Sequence, residues 1–163
     1  MSSINNNKYI FDTSSLSNAF KHYYHDRFPT FWEKFNTLVR ENLLISVKEA
    51  KNELDRFGFN DSVKLWVKDN RDFFLIPNVE ELKFITSIYK INHFQQNLEK
   101  KKLLHGGAFA DPFIIASAKI NNAIVVTEEK FKDHGARIPN ICKKFNIKCT
   151  NLEGFLIKEG WTF

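Results

Sequence analysis

Four acidic residues from separate parts of the chain are of a type, and in positions, that could form a metal-dependent active site. The four are Asp12, Glu53, Asp111 and Glu129. Carboxylates that converge repel one another strongly unless cations hold them together. Hard divalent cations such as Mg²⁺ and Mn²⁺ take oxygen ligands and are commonly bound by a few carboxylates plus a substrate phosphate. The four residues therefore predict a Mg²⁺ or Mn²⁺ site.

Short apolar segments predict the strands that position these residues. They occur at residues 8–11, 43–46, 73–76, 124–127 and 147–149. Segments of helical length separate them, and strands that alternate with helices indicate a mostly parallel sheet covered on both faces. We predict an α/β fold, a three-layer α/β/α sandwich with a short five-stranded sheet.

Apolar periodicity and helix-terminating residues predict the helices. They are expected over residues 16–24, 30–40, 47–56, 61–70, 79–102, 111–120, 139–145 and 152–158. The helix over 79–102 has a possible interruption near Asn92 and His93. Three consecutive lysines, residues 100–102, are interpreted as a solvated helix end.

The predicted topology brings three of the acids to one edge of the sheet. Open α/β sheets place their sites at the carboxyl ends of the strands, where the strand order reverses. Asp12 and Glu129 each follow such a strand end. The helix that delivers the chain to the fourth strand runs antiparallel to the strands, so it begins at the same edge with Asp111.

Several alternatives remain open for individual acids. Asp12 and Asp111 also have the sequence context of helix N-caps, although a carboxylate has two oxygens and capping does not exclude metal binding. Glu49 lies one turn before Glu53, and Glu128 directly precedes Glu129, so either neighbour is an alternative ligand. The five histidines form no cluster with metal-ligand spacing.

Composition limits the class of protein. A chain of 163 residues fits one domain, which we place at residues 1–163. The net charge of +5 favours an anionic partner. Basic residues downstream of the fourth strand either guide a nucleic-acid backbone or form an ordinary basic surface: Lys130, Lys132, Arg137, Lys143 and Lys144. Two cysteines, the polar start at residues 1–7 and the lack of a long apolar run predict a cytoplasmic protein without a membrane span.

Four motifs spread over nearly the whole chain resemble those of PIN-domain nucleases. They are Ile-Phe-Asp-Thr-Ser at residues 10–14, Glu-Leu at 53–54, Ala-Asp-Pro-Phe-Ile-Ile-Ala at 110–116 and Val-Val-Thr-Glu-Glu at 125–129. The chain is most similar to a bacterial branch of VapC-like proteins, which share the paired tyrosines at 23–24, Ile-Pro-Asn at 138–140 and the terminal Gly-Trp at 160–161. Most members of the PIN family carry aspartate where this chain has Glu129.

The resemblance implies a Mg²⁺- or Mn²⁺-dependent ribonuclease with strand order 3-2-1-4-5. It implies that Asp12, Glu53, Asp111 and Glu129 bind metal and act in catalysis. Thr13, Ser14 and Thr127 would support them by hydrogen bonds. Many similar proteins are toxins of toxin–antitoxin pairs, so an antitoxin protein is an expected partner and a homodimer an expected assembly.

The leading hypothesis is an endoribonuclease that hydrolyses RNA with water activated by metal. The alternative is a catalytically weak or inactive module that retains the fold and binds RNA or a protein. A haloacid-dehalogenase-type phosphatase is a weaker rival, because that chemistry needs a second acid two residues after the first, where this chain has Ser14.

Overall fold

Five short parallel strands form the centre of the molecule. The computed structural model describes residues 5–107 and 109–163, so part of the polar start, residues 1–4, lies outside the described residues. The strands are β1 (Tyr9–Phe11), β2 (Leu44–Val47), β3 (Phe74–Leu75), β4 (Ile124–Val126) and β5 (Cys149–Thr150). They form one sheet in the order β3-β2-β1-β4-β5, and every pairing is parallel. The predicted architecture and strand order are confirmed, with an all-parallel sheet.

Helices cover both faces of this sheet. In the described residues they are α1 (Thr13–His22), α2 (Pro29–Arg40), α3 (Lys48–Leu54), α4 (Asp61–Asp69), α5 (Val79–Tyr89), α6 (Asn92–Leu104), α7 (Asp111–Asn121), α8 (Ile138–Lys144) and α9 (Leu152–Glu159). The interruption expected near Asn92 and His93 is observed at residues 90 and 91, so the region predicted over 79–102 forms two helices. Ile91 adopts an extended backbone with φ −86° and ψ 109° and separates them.

Alternate residues of the central strand serve two separate cores. Tyr9 and Phe11 face a core formed with α1, α2, α4 and α9, in which the Phe155 ring packs edge-on against both at 4.8 and 5.0 Å. Ile10 faces a second core formed with helices from α5 to α8. The period of two along a strand explains this division and gives the three layers.

None of the described helices is both long and apolar enough to cross a bilayer.

Candidate metal centre

The site lies where the two central strands end. Residues of β1 and β4 pair in register, with Phe11 opposite Val126. The Asp12 amide continues this ladder by donating to the Val126 carbonyl at 2.9 Å. The strand order reverses between β1 and β4, so the residues that follow them meet at the edge where α/β sheets place their sites.

Asp12 is buried at this edge and is held by two hydroxyl groups. Its Oδ2 accepts hydrogen bonds from Ser14 Oγ and Thr127 Oγ1, both at 2.8 Å. The side chain makes no capping hydrogen bond to α1, although Asp12 occupies the N-cap position. The carboxylate is therefore directed to the site by side chains of the two central segments.

Asp111 begins α7, and Pro112 in the first turn suits that helix start. The N-cap is Ala110, and no side-chain capping bond forms. Asp111 Oδ2 instead accepts a hydrogen bond from the Lys101 ammonium. Asp111 does not cap the helix, because Ala110 occupies the N-cap position.

Glu129 reaches the same ammonium. Its Oε1 lies 2.7 Å from Lys101 Nζ, and its Oε2 accepts from the Ile138 amide at 2.9 Å. The Glu129 amide donates to Thr127 Oγ1 at 3.1 Å. Three contacts thus fix the glutamate, so its longer side chain is anchored at the start of α8.

Glu128, the alternative to Glu129, points elsewhere. Its Oε1 accepts from the Leu152 amide at 2.9 Å and from Ser15 Oγ at 3.2 Å. Both partners lie at the junction of α1 and α9, and the contact satisfies a free amide at the α9 N-terminus. Glu128 therefore directs its carboxylate to the start of α9, whereas only Glu129 of the two contacts Lys101.

Glu53 hydrogen-bonds to the residue after Asp12 and to the residue before Asp111. Its Oε2 accepts from Thr13 Oγ1 at 2.5 Å, and its Oε1 accepts from the Ala110 amide at 2.8 Å. Glu49 has a different environment. Burial raises its pKa, and burial followed by the charge of Glu49 raises the pKa of Glu81 on α5, so Glu49 faces that helix. The structure thus connects Glu53, rather than Glu49, to the segments that carry Asp12 and Asp111.

The three residues predicted to support the acids make the expected type of contact. Ser14 and Thr127 donate to Asp12, and Thr13 donates to Glu53. Ser14 Oγ also accepts from the Glu128 amide at 3.0 Å. The hydroxyl groups therefore link the segment after β1 to the segment after β4.

Lys101 is the residue that the sequence interpretation missed. Lys100 and Lys102 are exposed, as expected for a solvated helix end, but Lys101 is partly buried and its ammonium joins Asp111 to Glu129. The spacing of Lys101 from buried residues of the same helix could have predicted that it faces inward. Lys101 follows the buried Phe94 and Leu98 of α6 by seven and three residues, which puts all three on one helix face.

Burial and repulsion by neighbouring carboxylates raise the pKa values of the two buried aspartates at the site. Burial raises the pKa of Asp12 to about 6, and the charges of Glu129 and Glu53 act in the same direction against its hydroxyl partners. Burial, then Asp12 and Glu129, raise the pKa of Asp111 to about 8, although Lys101 opposes them. Burial lowers the pKa of Lys101, but the two carboxylates outweigh it and raise the value overall. Lys101 is therefore a firmly charged cation between acids that repel one another.

This arrangement fits a divalent cation in its chemistry but not in its present side-chain positions. Among residues 5–107 and 109–163, no three acidic, histidine or cysteine side chains lie close enough together to hold one ion as they stand. The Lys101 ammonium is the cation that contacts both Asp111 and Glu129 in this structure. The oxygen-only donor set suits Mg²⁺ or Mn²⁺, since these ions accept carboxylates with several waters retained. The donor chemistry therefore fits such an ion, and its binding would require the ammonium to leave and the carboxylates to move closer together.

Comparisons with known proteins concern the family and the fold. Residues 9–163 match a family model described as "Domain of unknown function (DUF4411)". The crystal structure of PAE2754 from Pyrobaculum aerophilum is similar, with 16% sequence identity, coverage of 93% of this chain and 96% of that chain, and a TM-score of 0.48. A similarity at this level carries no information on activity. No curated protein matches the chain at a significant level.

Proposed function

The chain belongs to the DUF4411 family, and for this member we propose a metal-dependent nuclease that hydrolyses RNA phosphodiester bonds. The observation that supports this most strongly is the cation between two acids. Lys101 Nζ donates to Asp111 Oδ2 and lies 2.7 Å from Glu129 Oε1. The charge of Glu53 raises the pKa of Asp12, and the charge of Asp12 raises the pKa of Asp111. Carboxylates whose pKa is raised by burial and by neighbouring acids, at the strand ends of an α/β sheet, support a functional site.

Asp12, Glu53, Asp111 and Glu129 are the proposed ligands of Mg²⁺ or Mn²⁺. Such an ion, when bound, supplies charge neutralisation at a phosphate and a nucleophilic water at neutral pH. Asp12 and Asp111 are the most deeply buried of the four, with 4% and 6% exposure, so they form the floor of the site. Thr127 and Ser14 fix the Asp12 carboxylate, as partners of metal ligands do.

RNA is the proposed substrate because its backbone supplies the phosphates that such a site requires. The net charge of +5 favours a polyanion, and Lys130, Lys132 and Arg137 are exposed on the segment that follows Glu129. Phosphate contacts of this kind position a strand and do not read its sequence. Because the chain resembles VapC-like proteins, we propose that it is a cytoplasmic toxin of a toxin–antitoxin pair. Its proposed partner is an antitoxin protein, and its proposed assembly is a homodimer.

Cleavage of RNA by the purified protein tests this function. Mn²⁺ is added to metal-free protein and to matched Asp12→Asn and Asp111→Asn variants, and products are separated on a denaturing gel. We expect metal-dependent cleavage that both variants lose by at least roughly a hundredfold, since each removes a charged ligand. Glu128→Gln is the control and is expected to retain cleavage, because its contacts lie at the start of α9. Equal cleavage by the wild type and the two aspartate variants would contradict the proposal.

A binding module without catalysis is the second candidate. The Lys101 ammonium already neutralises two of the acids, and a protein that never bound metal would benefit from that pairing. Titration of Mn²⁺ followed by calorimetry separates the two functions. A module is expected to show no binding that depends on Asp12, whereas a nuclease is expected to show it.

A further inference from the structure

The Lys101 ammonium is engaged at the site, although the backbone of this residue lies in an exposed helical turn. Its ammonium contacts two carboxylates and lies 5.7 Å from the centre of the Phe109 ring, which forms a third side of its environment. Its backbone nevertheless belongs to the last turn of α6, where residues 99–104 bury no apolar side chain. The contacts of the ammonium group, and not apolar packing, therefore hold this lysine at the site.

We infer that Lys101 is a resident cation that holds Asp111 and Glu129 together in the metal-free protein and leaves them when a divalent ion binds. The inference rests on the proposed function, since it concerns the same carboxylates. Two adjacent acids without a cation repel each other, and this repulsion is strong where water is largely excluded. The ammonium removes that repulsion while the site is free of metal.

Simultaneous occupation by Lys101 and a divalent ion is unfavourable. Both cations would contact the same carboxylate oxygens, so like charges would lie within a few ångströms of each other. Lysine can leave easily, because its ammonium is strongly hydrated and its four-carbon stem is flexible. The Lys101 side chain is itself 26% exposed, so solvent lies directly beside the position that the ammonium occupies.

The exchange sets the apparent affinity for metal. A site whose competent form is only a fraction of the population binds with an affinity reduced by that fraction. If the lysine-occupied form predominates by about ten to one, the wild type binds Mn²⁺ about tenfold more weakly than a protein without this ammonium. Lys101 is thus a positioning residue that raises the metal concentration at which the site is filled.

Calorimetric titration with Mn²⁺ tests the competition. Lys101→Met keeps a stem of similar length without charge, and Lys100→Met and Lys102→Met are matched controls that remove a charge one residue away. We expect about tenfold tighter binding by Lys101→Met and changes below about twofold in both controls. Equal tightening in all three variants would show a general effect of net charge and would overturn the inference.

Amine acetylation of the wild type tests the displacement without any substitution. The protein is treated with an acetylating reagent with and without Mn²⁺, and each lysine is quantified by mass spectrometry. Lys101 is expected to be protected without metal and to become labelled with it, whereas Lys100 and Lys102 are expected to label equally in both conditions. Labelling of Lys101 that does not rise with Mn²⁺ would overturn the inference.

The two experiments separate this inference from the proposed function. If the wild type binds Mn²⁺ in a manner that requires Asp12, but Lys101→Met binds no more tightly, the metal site stands and the displacement is refuted. If neither the wild type nor Lys101→Met binds Mn²⁺, both the metal site and the displacement are refuted. Binding by Lys101→Met alone supports the displacement in its strongest form.

Discussion

Replacing Asp12 by asparagine is expected to stabilise the metal-free protein at neutral and alkaline pH, with a much smaller effect near pH 4. The asparagine carbonyl oxygen can still accept from Ser14 and Thr127, which contact a single carboxylate oxygen in the wild type. The substitution therefore keeps the local hydrogen bonds and removes a buried charge. Stabilisation by loss of an active-site residue is the expected trade-off between activity and stability.

The pKa of Asp12 fixes the size and sign of the effect. Burial raises this pKa from its ordinary 3.8 to about 6, so the folded wild type binds a proton more tightly than the unfolded chain. Its stability is consequently retained below pH 3.8 and lost as the pH rises through about 6. Because one pKa unit corresponds to about 1.4 kcal/mol, the loss is on the order of 3 kcal/mol at pH 8 and less than about 1 kcal/mol at pH 4.

Urea unfolding in the presence of a chelator measures this difference. The free energy of unfolding of Asp12→Asn is expected to exceed that of the wild type by on the order of 3 kcal/mol at pH 8, or roughly 6–12 °C in Tm, with a much smaller excess at pH 4. Addition of Mn²⁺ is expected to reduce the gap at pH 8, because a ligand at a hundred times its Kd stabilises the wild type by about 2.7 kcal/mol. An asparagine variant that is no more stable than the wild type at pH 8, or equally favoured at both pH values, would refute the reasoning.

Three further substitutions test other parts of the structure. Glu129→Gln is expected to lose most of the Mn²⁺-induced rise in Tm while Glu128→Gln retains it, because only Glu129 shares a cation with Asp111; the reverse result in thermal scans would contradict the assignment. Thr127→Val is expected to lower the free energy of unfolding by about 1–3 kcal/mol, since its hydroxyl serves both Asp12 and the Glu129 amide, and urea unfolding checks it. Phe155→Ala is expected to cost about 3–5 kcal/mol, equally at pH 5 and pH 8, because its fully buried ring packs against Phe11 and against Tyr9, whose pKa is raised to about 12; a pH-dependent loss would contradict this interpretation of the core.

The sequence was sufficient for the sheet because short apolar runs and long amphipathic segments alternate without ambiguity. Every predicted strand overlaps an observed one, and the largest displacement is at the last, predicted to begin at residue 147 and observed at Cys149–Thr150. The interruption between α5 and α6 was expected near Asn92 and His93 and lies at residues 90 and 91. No glycine or proline marks it, and apolar spacing continues across it, so only the tertiary packing of α5 and α6 determines the position.

The choice between neighbouring acids depended on contacts that no local pattern contains. Glu128 and Glu129 both follow β4, and only their partners on α8 and α9 distinguish them. Glu49 and Glu53 likewise share a short helix, and a hydrogen bond to Thr13 after β1 separates them. Lys101 was misjudged because three consecutive lysines resemble a solvated helix end, although its spacing from Leu98 places it on the inner face.

Diffraction from a crystal soaked in Mn²⁺ tests the central claim most directly. The anomalous signal of manganese locates the ion independently of any assumption about the site. We expect a peak within roughly 2.5 Å of oxygens from Asp12 and Asp111, with the Lys101 ammonium turned away from Asp111. A saturated crystal with no peak at these carboxylates, and with Lys101 still bridging Asp111 and Glu129, would contradict the assignment of a metal centre.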